Sequence, residues 1–237
     1  MHTIQLDLTI NLTSRWHAGS GEGSMAVDRN IRRDSNNQPY IPGSTLKGII
    51  RENCERLSRT LGLGEPSDPH NSNIRNSGAF GPLHLASHPV DALFGNKYEG
   101  ADMYVRNARQ VPGIQMGVTE MTRTAVSRAR RTSLDGHLFS SEYVQPCSYK
   151  TSINGYHRHL VAESAGIPFA YAVLVAGILN IDRIGSDKST GCGVVKIDIT
   201  KATYNGKNIT IDEALACISD NELAEYYELC REELEVA

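Results

Sequence analysis

Tyr40-Ile41-Pro42-Gly43-Ser44-Thr45-Leu46-Lys47-Gly48-Ile49-Ile50-Arg51 reads as a turn that opens straight into a helix. Pro42-Gly43 is turn chemistry and Ser44 is the candidate N-cap. Leu46, Ile49, Ile50, Cys54, Leu57 and Leu61 recur at the spacing of one helix face, and Gly62 and Gly64 mark the stop. Upstream, Ile4, Leu6, Leu8, Ile10 and Leu12 alternate with polar residues, so residues 3–13 are predicted as a strand with one buried face. Between strand and helix lie a glycine-rich turn, Trp16-His17-Ala18-Gly19-Ser20-Gly21-Glu22-Gly23-Ser24, a short strand over 25–33 and a turn at 34–39.

Downstream of the helix, residues 65–83 are rich in Asn, Ser, Pro and Gly and read as a loop or insertion, followed by a short ordered element at Asp91-Ala92-Leu93-Phe94-Gly95. Residues 103–111 are predicted as a strand. Residues 112–131 lack a clean period, and 117–138 read as a projecting hairpin or arm. The apolar, β-branched run at 168–182 is predicted as a central strand, 185–193 as a glycine loop and 194–204 as a strand ending at the hairpin turn Asn205-Gly206. Ser219-Asp220-Asn221-Glu222 has the form of a capping box for a closing helix. This order predicts an α+β fold on an antiparallel sheet, a split β-α-β or RRM/ferredoxin-like core.

The 237 residues, 40% hydrophobic and 22% charged, suit one domain with a sizeable core and exclude extensive disorder. No apolar run approaches the roughly 20 residues of a membrane span. The start of the chain has no signal-peptide core. Five scattered cysteines without a CxxC pair predict reduced thiols and a cytoplasmic protein. The net charge of -3 conceals an asymmetry. Residues 212–237 hold nine acids against Arg231 alone, so the remainder carries 23 basic and 18 acidic residues. Its bases cluster as Arg29, Arg32 and Arg33, as Lys47 and Arg51, and as Arg123, Arg128, Arg130 and Arg131, which suits phosphate binding as well as it suits a solvated face.

Three of these segments together resemble the RAMP superfamily of CRISPR proteins. The stretch at 40–51 resembles that family's IPGSSLKG-type signature, Trp16-His17-Ala18-Gly19-Ser20-Gly21 its glycine turn after the first strand, and Arg183-Ile184-Gly185-Ser186-Asp187-Lys188-Ser189-Thr190-Gly191-Cys192-Gly193 its late glycine-rich loop. Thr190 stands where Arg is common in that loop. The resemblance implies one RRM-like domain over residues 1–237, with an insertion or lid at 65–100 and a thumb hairpin at 117–139. Within the superfamily the pattern looks most like the large repeated backbone subunit of type III effector complexes. That subunit lines up in several copies along a CRISPR guide RNA, beside other effector subunits, and meets a complementary single-stranded target RNA. No membrane partner is implied.

The same resemblance makes Asp28 the candidate catalytic and metal-binding residue of a Mg²⁺- or Mn²⁺-dependent endoribonuclease. RNA carries its own nucleophile, the 2′-hydroxyl, so a carboxylate that orients it, or holds a hydrated cation, is sufficient chemistry. Outside that context a loop aspartate beside Arg29 and Arg32 would be an ordinary surface charge. Candidate RNA contacts are His17, Gly19 and Gly21 in the first turn, Ser44, Thr45, Lys47 and Arg51 on the helix, Arg123, Arg128, Arg130 and Arg131 on the arm, and Lys188 in the late loop. His17 serves equally well as a structural turn residue, and Met121 and Val126 are the candidate apolar wedge of the arm. Relatives often carry a Cys/His zinc site near the insertion. Here only Cys54 with His70, His84 and His88 could supply one, and exposed loop histidines are preferred over structural zinc. The competing functions are a backbone subunit that binds guide RNA without cutting, a nuclease that trims guide precursors, and an unrelated metabolic α+β enzyme, for which no motif is present.

Overall fold

The computed structural model describes residues 1–63, 66, 88–96, 100, 102–111, 113, 117–158, 160, 166–216 and 218. The acidic closing helix, its capping box, His70, His84 and most of the 65–100 insertion lie outside the described residues.

The long first strand β1 (His2–Leu12) lies at the middle of the main sheet. Its period-two sequence puts Ile4, Leu6, Leu8, Ile10 and Leu12 on the buried face. It pairs antiparallel on one side with β6 (Ser148–His157) and on the other with β7 (Val195–Tyr204). The far edges are β2 (Met103–Val105) and β3 (Arg109–Gln110), both on β6, and β8 (Lys207–Asn208) on β7. The segment predicted as one strand over 103–111 is thus two short pairings against β6, interrupted at residues 106–108. Counting β2 and β3 as one strand and setting aside the two-residue edge strand β8, the order across the sheet is fourth, first, third, second, which is the split β-α-β arrangement expected.

Helix α1 (Gly43–Thr60) and helix α3 (Phe169–Leu179) pack against each other over the apolar face of that sheet, with the short helices α2 (Pro89–Phe94) and α4 (Ile211–Leu215) beside α3. Leu46, Ile49, Ile50 and Cys54 are buried as the helical spacing requires. The cap differs from expectation. Pro42 is the N-cap, and the amide of Gly43 donates to Asn107 Oδ1 at 2.8 Å, while Ser44 sits exposed inside the first turn. Gly43 is required by close approach, because a Cβ there would lie 2.1 Å from the carbonyl oxygen of Val105.

The predicted central strand at 168–182 is corrected to helix α3. The run has no polar side in either period: nine of its eleven residues are buried, against α1, α2, α4 and β7. Enclosure on all sides hides the helical period, and a short buried helix and a short buried strand then look alike in sequence. Residues 25–33 form no strand; they make single bridges from Ile31 to Gly19, from Arg29 to Ser141 and from Arg33 to Pro39. The Asn205-Gly206 turn joins β7 to β8 with both residues at positive φ (48° and 78°), the geometry that a tight hairpin favours.

Between β3 and β6 the chain leaves the main sheet as a separate two-stranded hairpin, β4 (Val118–Ser127) and β5 (Thr132–Val144), whose base makes single bridges to Trp16 and Arg29. The expected span 117–139 starts one residue before β4 and ends inside β5. Near the tip the register slips: Thr124 faces Leu138 but Val126 faces Ser133, so residues 134–137 bulge opposite Ala125.

The α1–α3 contact gives a stability test. A Cβ at Gly177 would lie 2.4 Å from Cys54 Sγ and 3.2 Å from the Cys54 amide nitrogen. Gly177→Ala should therefore lower unfolding free energy by about 1–3 kcal/mol in urea titrations. Gly48→Ala, in the same helix pair but with nothing within 4 Å of the new methyl, should raise it by roughly 0.5–1 kcal/mol.

Candidate nucleic-acid interface

The base of the hairpin collects two loops through four consecutive residues of β5. The carboxylate of Asp28 accepts at Oδ2 from the Ser140 amide (2.7 Å) and the Ser140 hydroxyl (3.1 Å), and its own amide donates to Ser140 Oγ at 3.2 Å. The Arg29 amide donates to Ser140 O and the Glu142 amide to Arg29 O. The Glu142 carboxylate then accepts from the Ile31 amide (2.9 Å) and the Arg33 guanidinium (2.9 Å). The glycine turn is held to the same strand: Trp16 and Val144 exchange both backbone hydrogen bonds, and His17 donates from Nδ1 to Glu142 O at 2.7 Å. The two Ser140 donors hold the exposed Asp28 carboxyl below its ordinary range, the backbone bond contributing most.

The late glycine loop closes the arrangement. A Cβ at Gly193 would meet the Ile184 carbonyl oxygen at 1.9 Å, so the two ends of this loop touch only because position 193 lacks one. At the loop's apex Asp187, in the left-handed region (φ 59°), accepts from the Tyr143 hydroxyl at 2.5 Å. It also faces Arg123 at 3.4 Å and Arg29 at 3.6 Å. Arg29 also donates to Ser186 Oγ at 3.0 Å, and the guanidiniums of Arg123 and Arg15 lie 5.1 and 5.5 Å from the centroid of the Tyr143 ring. Burial raises the Asp187 pKa, but the Tyr143 bond and the positive charges of Arg123 and Arg29 outweigh it and leave the carboxyl below its usual range. Burial, then the bond to Asp187, pushes the Tyr143 hydroxyl up to about 12. Two arginines on Asp187, with Arg15 over the same tyrosine ring, leave this corner positive, beside an exposed carboxylate held in place.

Asp28, the glycine turn, Arg123 and the Lys188 loop therefore converge on one end of the molecule, whereas the helix residues do not join them as freely presented ligands. His17 is only 2% exposed and ties the turn to the hairpin, which favours the structural one of the two readings that the sequence left open. Gly19 and Gly21 are exposed in the same turn, and Lys188, half-buried, opens the short 3₁₀ turn at the tip of the late loop. On α1, Ser44 is exposed and Thr45 half-buried. Lys47 donates to Met103 O at 2.9 Å, and Arg51 donates to Glu55 (2.8 Å) and Gly95 O (3.1 Å) with Asp91 3.7 Å away. Burial, then the nearby Arg51 charge, lowers the Lys47 pKa. In this structure both cations tie α1 to α2 and β2, so contact with phosphate would have to compete with these bonds. Sequence spacing could place them on one helix face but not reveal what covers that face.

Arg128, Arg130 and Arg131 form the exposed tip of the hairpin, with Arg131 left-handed at φ 53°. The apolar wedge is placed differently from expectation. Met121 pairs with Ser141 near the base and is half-buried, while Val126 (58% exposed) and Leu138 (71%) stand out toward the tip, with Leu134 beside them. The residues that sequence reasoning missed are Ser140, Glu142, Tyr143 and Asp187. All four act through partners more than 40 positions away, and no local spacing marks them.

Cys54 cannot serve as a zinc ligand as placed. Its thiol is buried between α1 and α3, donates to Val173 O at 3.6 Å, and burial drives its pKa upward. His88 caps α2, accepting at Nδ1 from the Val90 amide. Among the described residues no three His, Cys, Asp or Glu side chains gather as a metal site. Nor is any described helix long and apolar enough to cross a membrane.

The family model of the RAMP superfamily matches residues 9–196. Among solved structures, the chain is similar to one in the type III-B Cmr-beta cryo-EM structure of the apo state, with 11% identity, a TM-score of 0.57, and coverage of 83% of this chain and 97% of that one. It is likewise similar to a chain in the cryo-EM structure of type III-B Cmr-beta bound to cognate target RNA, at 12% identity and TM-score 0.54, covering 81% of this chain and 96% of that one. At such identities the likeness concerns the fold. No curated protein matches the sequence.

The clasp on β5 is open to test. Glu142→Ala leaves the Ile31 amide without its acceptor and Arg33 without its carboxylate, and should cost about 1–3 kcal/mol. Amide exchange should accelerate at residues 28–33 while β1 stays protected; unchanged exchange there would show the loop to be held by something else. Acid acts through Asp187. A depressed carboxylate contributes stability above its unfolded value, about pH 4, and loses it as pH falls through the lower folded value. Asp187→Asn should flatten the fall of melting temperature below about pH 4.

Proposed function

As this chain belongs to the RAMP superfamily, we propose that it is the guide-RNA-binding backbone subunit of a type III CRISPR ribonucleoprotein and that it cuts complementary target RNA at Asp28. The observation that carries this is the Asp28 carboxylate itself: exposed, kept ionised, and fixed by Ser140 at the root of an arginine-tipped hairpin. A solved neighbour bound to cognate target RNA supports RNA as the class of partner.

Phosphate contacts from Arg128, Arg130 and Arg131 hold the strand along the hairpin, and Val126 and Leu138 are apolar groups that a splayed base can rest on. The strand then turns toward the root, where Arg29 and Arg123 stabilise charge on a phosphate. Asp28 uses Oδ2 for Ser140, which leaves Oδ1 to take the 2′-hydroxyl proton or to orient the attacking group. One carboxylate with a free oxygen also suits Mg²⁺ or Mn²⁺, which keep several waters and bind through one or two carboxylates plus substrate phosphates. Asp28 would hold such an ion, which supplies charge stabilisation at the phosphorus. Because one short domain contacts few nucleotides, tight binding calls for several copies side by side on the guide, together with other effector subunits. A second reading, a scaffold that binds guide RNA without cutting, draws on the three bonds between Asp28 and Ser140, which suffice for a loop clamp.

Asp28→Asn separates the two, since it keeps the hydrogen-bond acceptor and removes the charge. In the assembled ribonucleoprotein with matched target and Mg²⁺, cutting should fall by about 10²-fold or more with target affinity unchanged. Wild-type cutting should persist to below about pH 4, because Ser140 lowers the carboxyl's pKa and activity is lost only as pH falls through that lowered value. Equal cutting by both proteins would remove Asp28 from the chemistry, and no cutting by either would leave the scaffold. Replacing Arg128, Arg130 and Arg131 with Glu should blur or abolish the spacing of cuts on a long matched target, resolved on a sequencing gel; sharp, regular cuts would make the tip idle.

A further inference from the structure

The sheet has a second face. Along β6 the buried residues Tyr149, Ile153 and His157 look toward the helices, so Lys150, Ser152, Asn154 and Tyr156 look the other way. The register places Arg109 opposite Lys150, Tyr104 opposite Asn154 and Asp7 opposite Ser152, and the Arg106 amide bonds to Ser152 O. Among the described residues no helix packs on this face. A cleft of about 460 Å³ runs across it, lined by Arg106, Arg109, Lys150, Asp7, Ser152 and Thr200 among others. Beyond its end Tyr104 (58% exposed) and Tyr156 (44%) stand with ring centroids 6.3 Å apart. From Lys150 to Tyr156 the stripe is about 20 Å long at strand rise.

The charge of the cleft is positive. Arg106 and Lys150 face solvent, Arg109 shares its charge with Asp34 at 3.4 Å, and the remaining acid on the cleft is Asp7. Cations at one end and exposed aromatic faces at the other make a combination suited to a single strand, whose phosphates need positive charge and whose unstacked bases need flat partners. An acidic protein surface would use the cations but leave two exposed tyrosine rings without a purpose.

We propose that this open sheet face is a second single-stranded RNA-binding surface, in which Arg106, Arg109 and Lys150 contact phosphates and Tyr104 and Tyr156 stack on bases. It uses none of the residues around Asp28 and stands whether or not that residue cuts RNA. In a complex it would hold a strand away from the hairpin, such as a flanking or displaced segment.

The test uses the full chain with Arg128, Arg130 and Arg131 already replaced by Glu, so that the hairpin does not mask the signal, and a fluorescent oligouridylate as probe. Arg106→Glu with Lys150→Glu should weaken binding about ten-fold or more, and should lower the salt slope by about 1.4, two single-strand phosphate contacts. Tyr104→Ala with Tyr156→Ala should weaken it roughly ten-fold at an unchanged salt slope, while the two Tyr→Phe replacements, which keep the rings, should bind as the parent does. RNA carrying 4-thiouridine should cross-link to Tyr104 or Tyr156. Unchanged affinity in both sets of variants, or cross-links confined to the hairpin, overturns the proposal. So does a dimer that falls apart on charge reversal while RNA affinity holds, which would assign the face to a second copy of the chain. Loss of target cutting on Asp28→Asn with these cross-links intact bears on the Asp28 assignment alone.

Discussion

Four residues of one strand, Ser140 to Tyr143, carry the tertiary organisation of the candidate interface. Ser140 fixes Asp28, Glu142 fixes Ile31 and Arg33 and receives His17, and Tyr143 reaches Asp187 in the late loop. The two glycine-rich segments also bond directly to each other, through the Ser186 amide to His17 O and the Gly193 amide to Arg15 O, but without the strand the Asp28 loop would carry one more solvated charge. With them, backbone donors and acceptors that would otherwise need water are satisfied between loops and hairpin, which is what gives irregular chain a defined position.

The sheet beneath performs a different task. Its apolar face, built by the alternating residues of β1 and closed by α1 and α3, provides the burial that holds the domain together. Because all structural burden lies on that side, the opposite face is free to carry Lys, Arg and Tyr. The hairpin inserted between β3 and β6 projects from the sheet: it has its own ladder, is anchored at its base by the buried Tyr143 and Val144, and presents three arginines at its exposed tip. Two separate positive surfaces thus coexist on a chain whose net charge is -3.

The alternation at residues 4–12 is legible because a half-buried strand must show it, and the apolar stripe of α1 is legible for the same reason at a different period. The run at 169–179 defeats that logic. A helix enclosed by neighbours on all sides has no polar face, so β-branched content suggested a strand where the packing makes a helix. The pair Lys47 and Arg51 shows a related limit of spacing. Spacing gives their common direction, but whether water or the backbone of Met103 and Gly95 lies in that direction is a property of the assembled fold.

Asp28 and the arm arginines were visible in the sequence as loop charges within a recognisable order of motifs, and the chain's local chemistry by itself determined the first and last long strands, the Asn205-Gly206 turn, the amphipathic helix and the projecting hairpin. Only the tertiary structure decided which charges are available and which are tied down, and that Tyr104 and Tyr156 share an open face with Arg106, Arg109 and Lys150. The physical reason is range. Propensity and periodicity act within a few residues along the chain, whereas desolvation, ion pairing and strand register act between segments that meet only after the chain has folded.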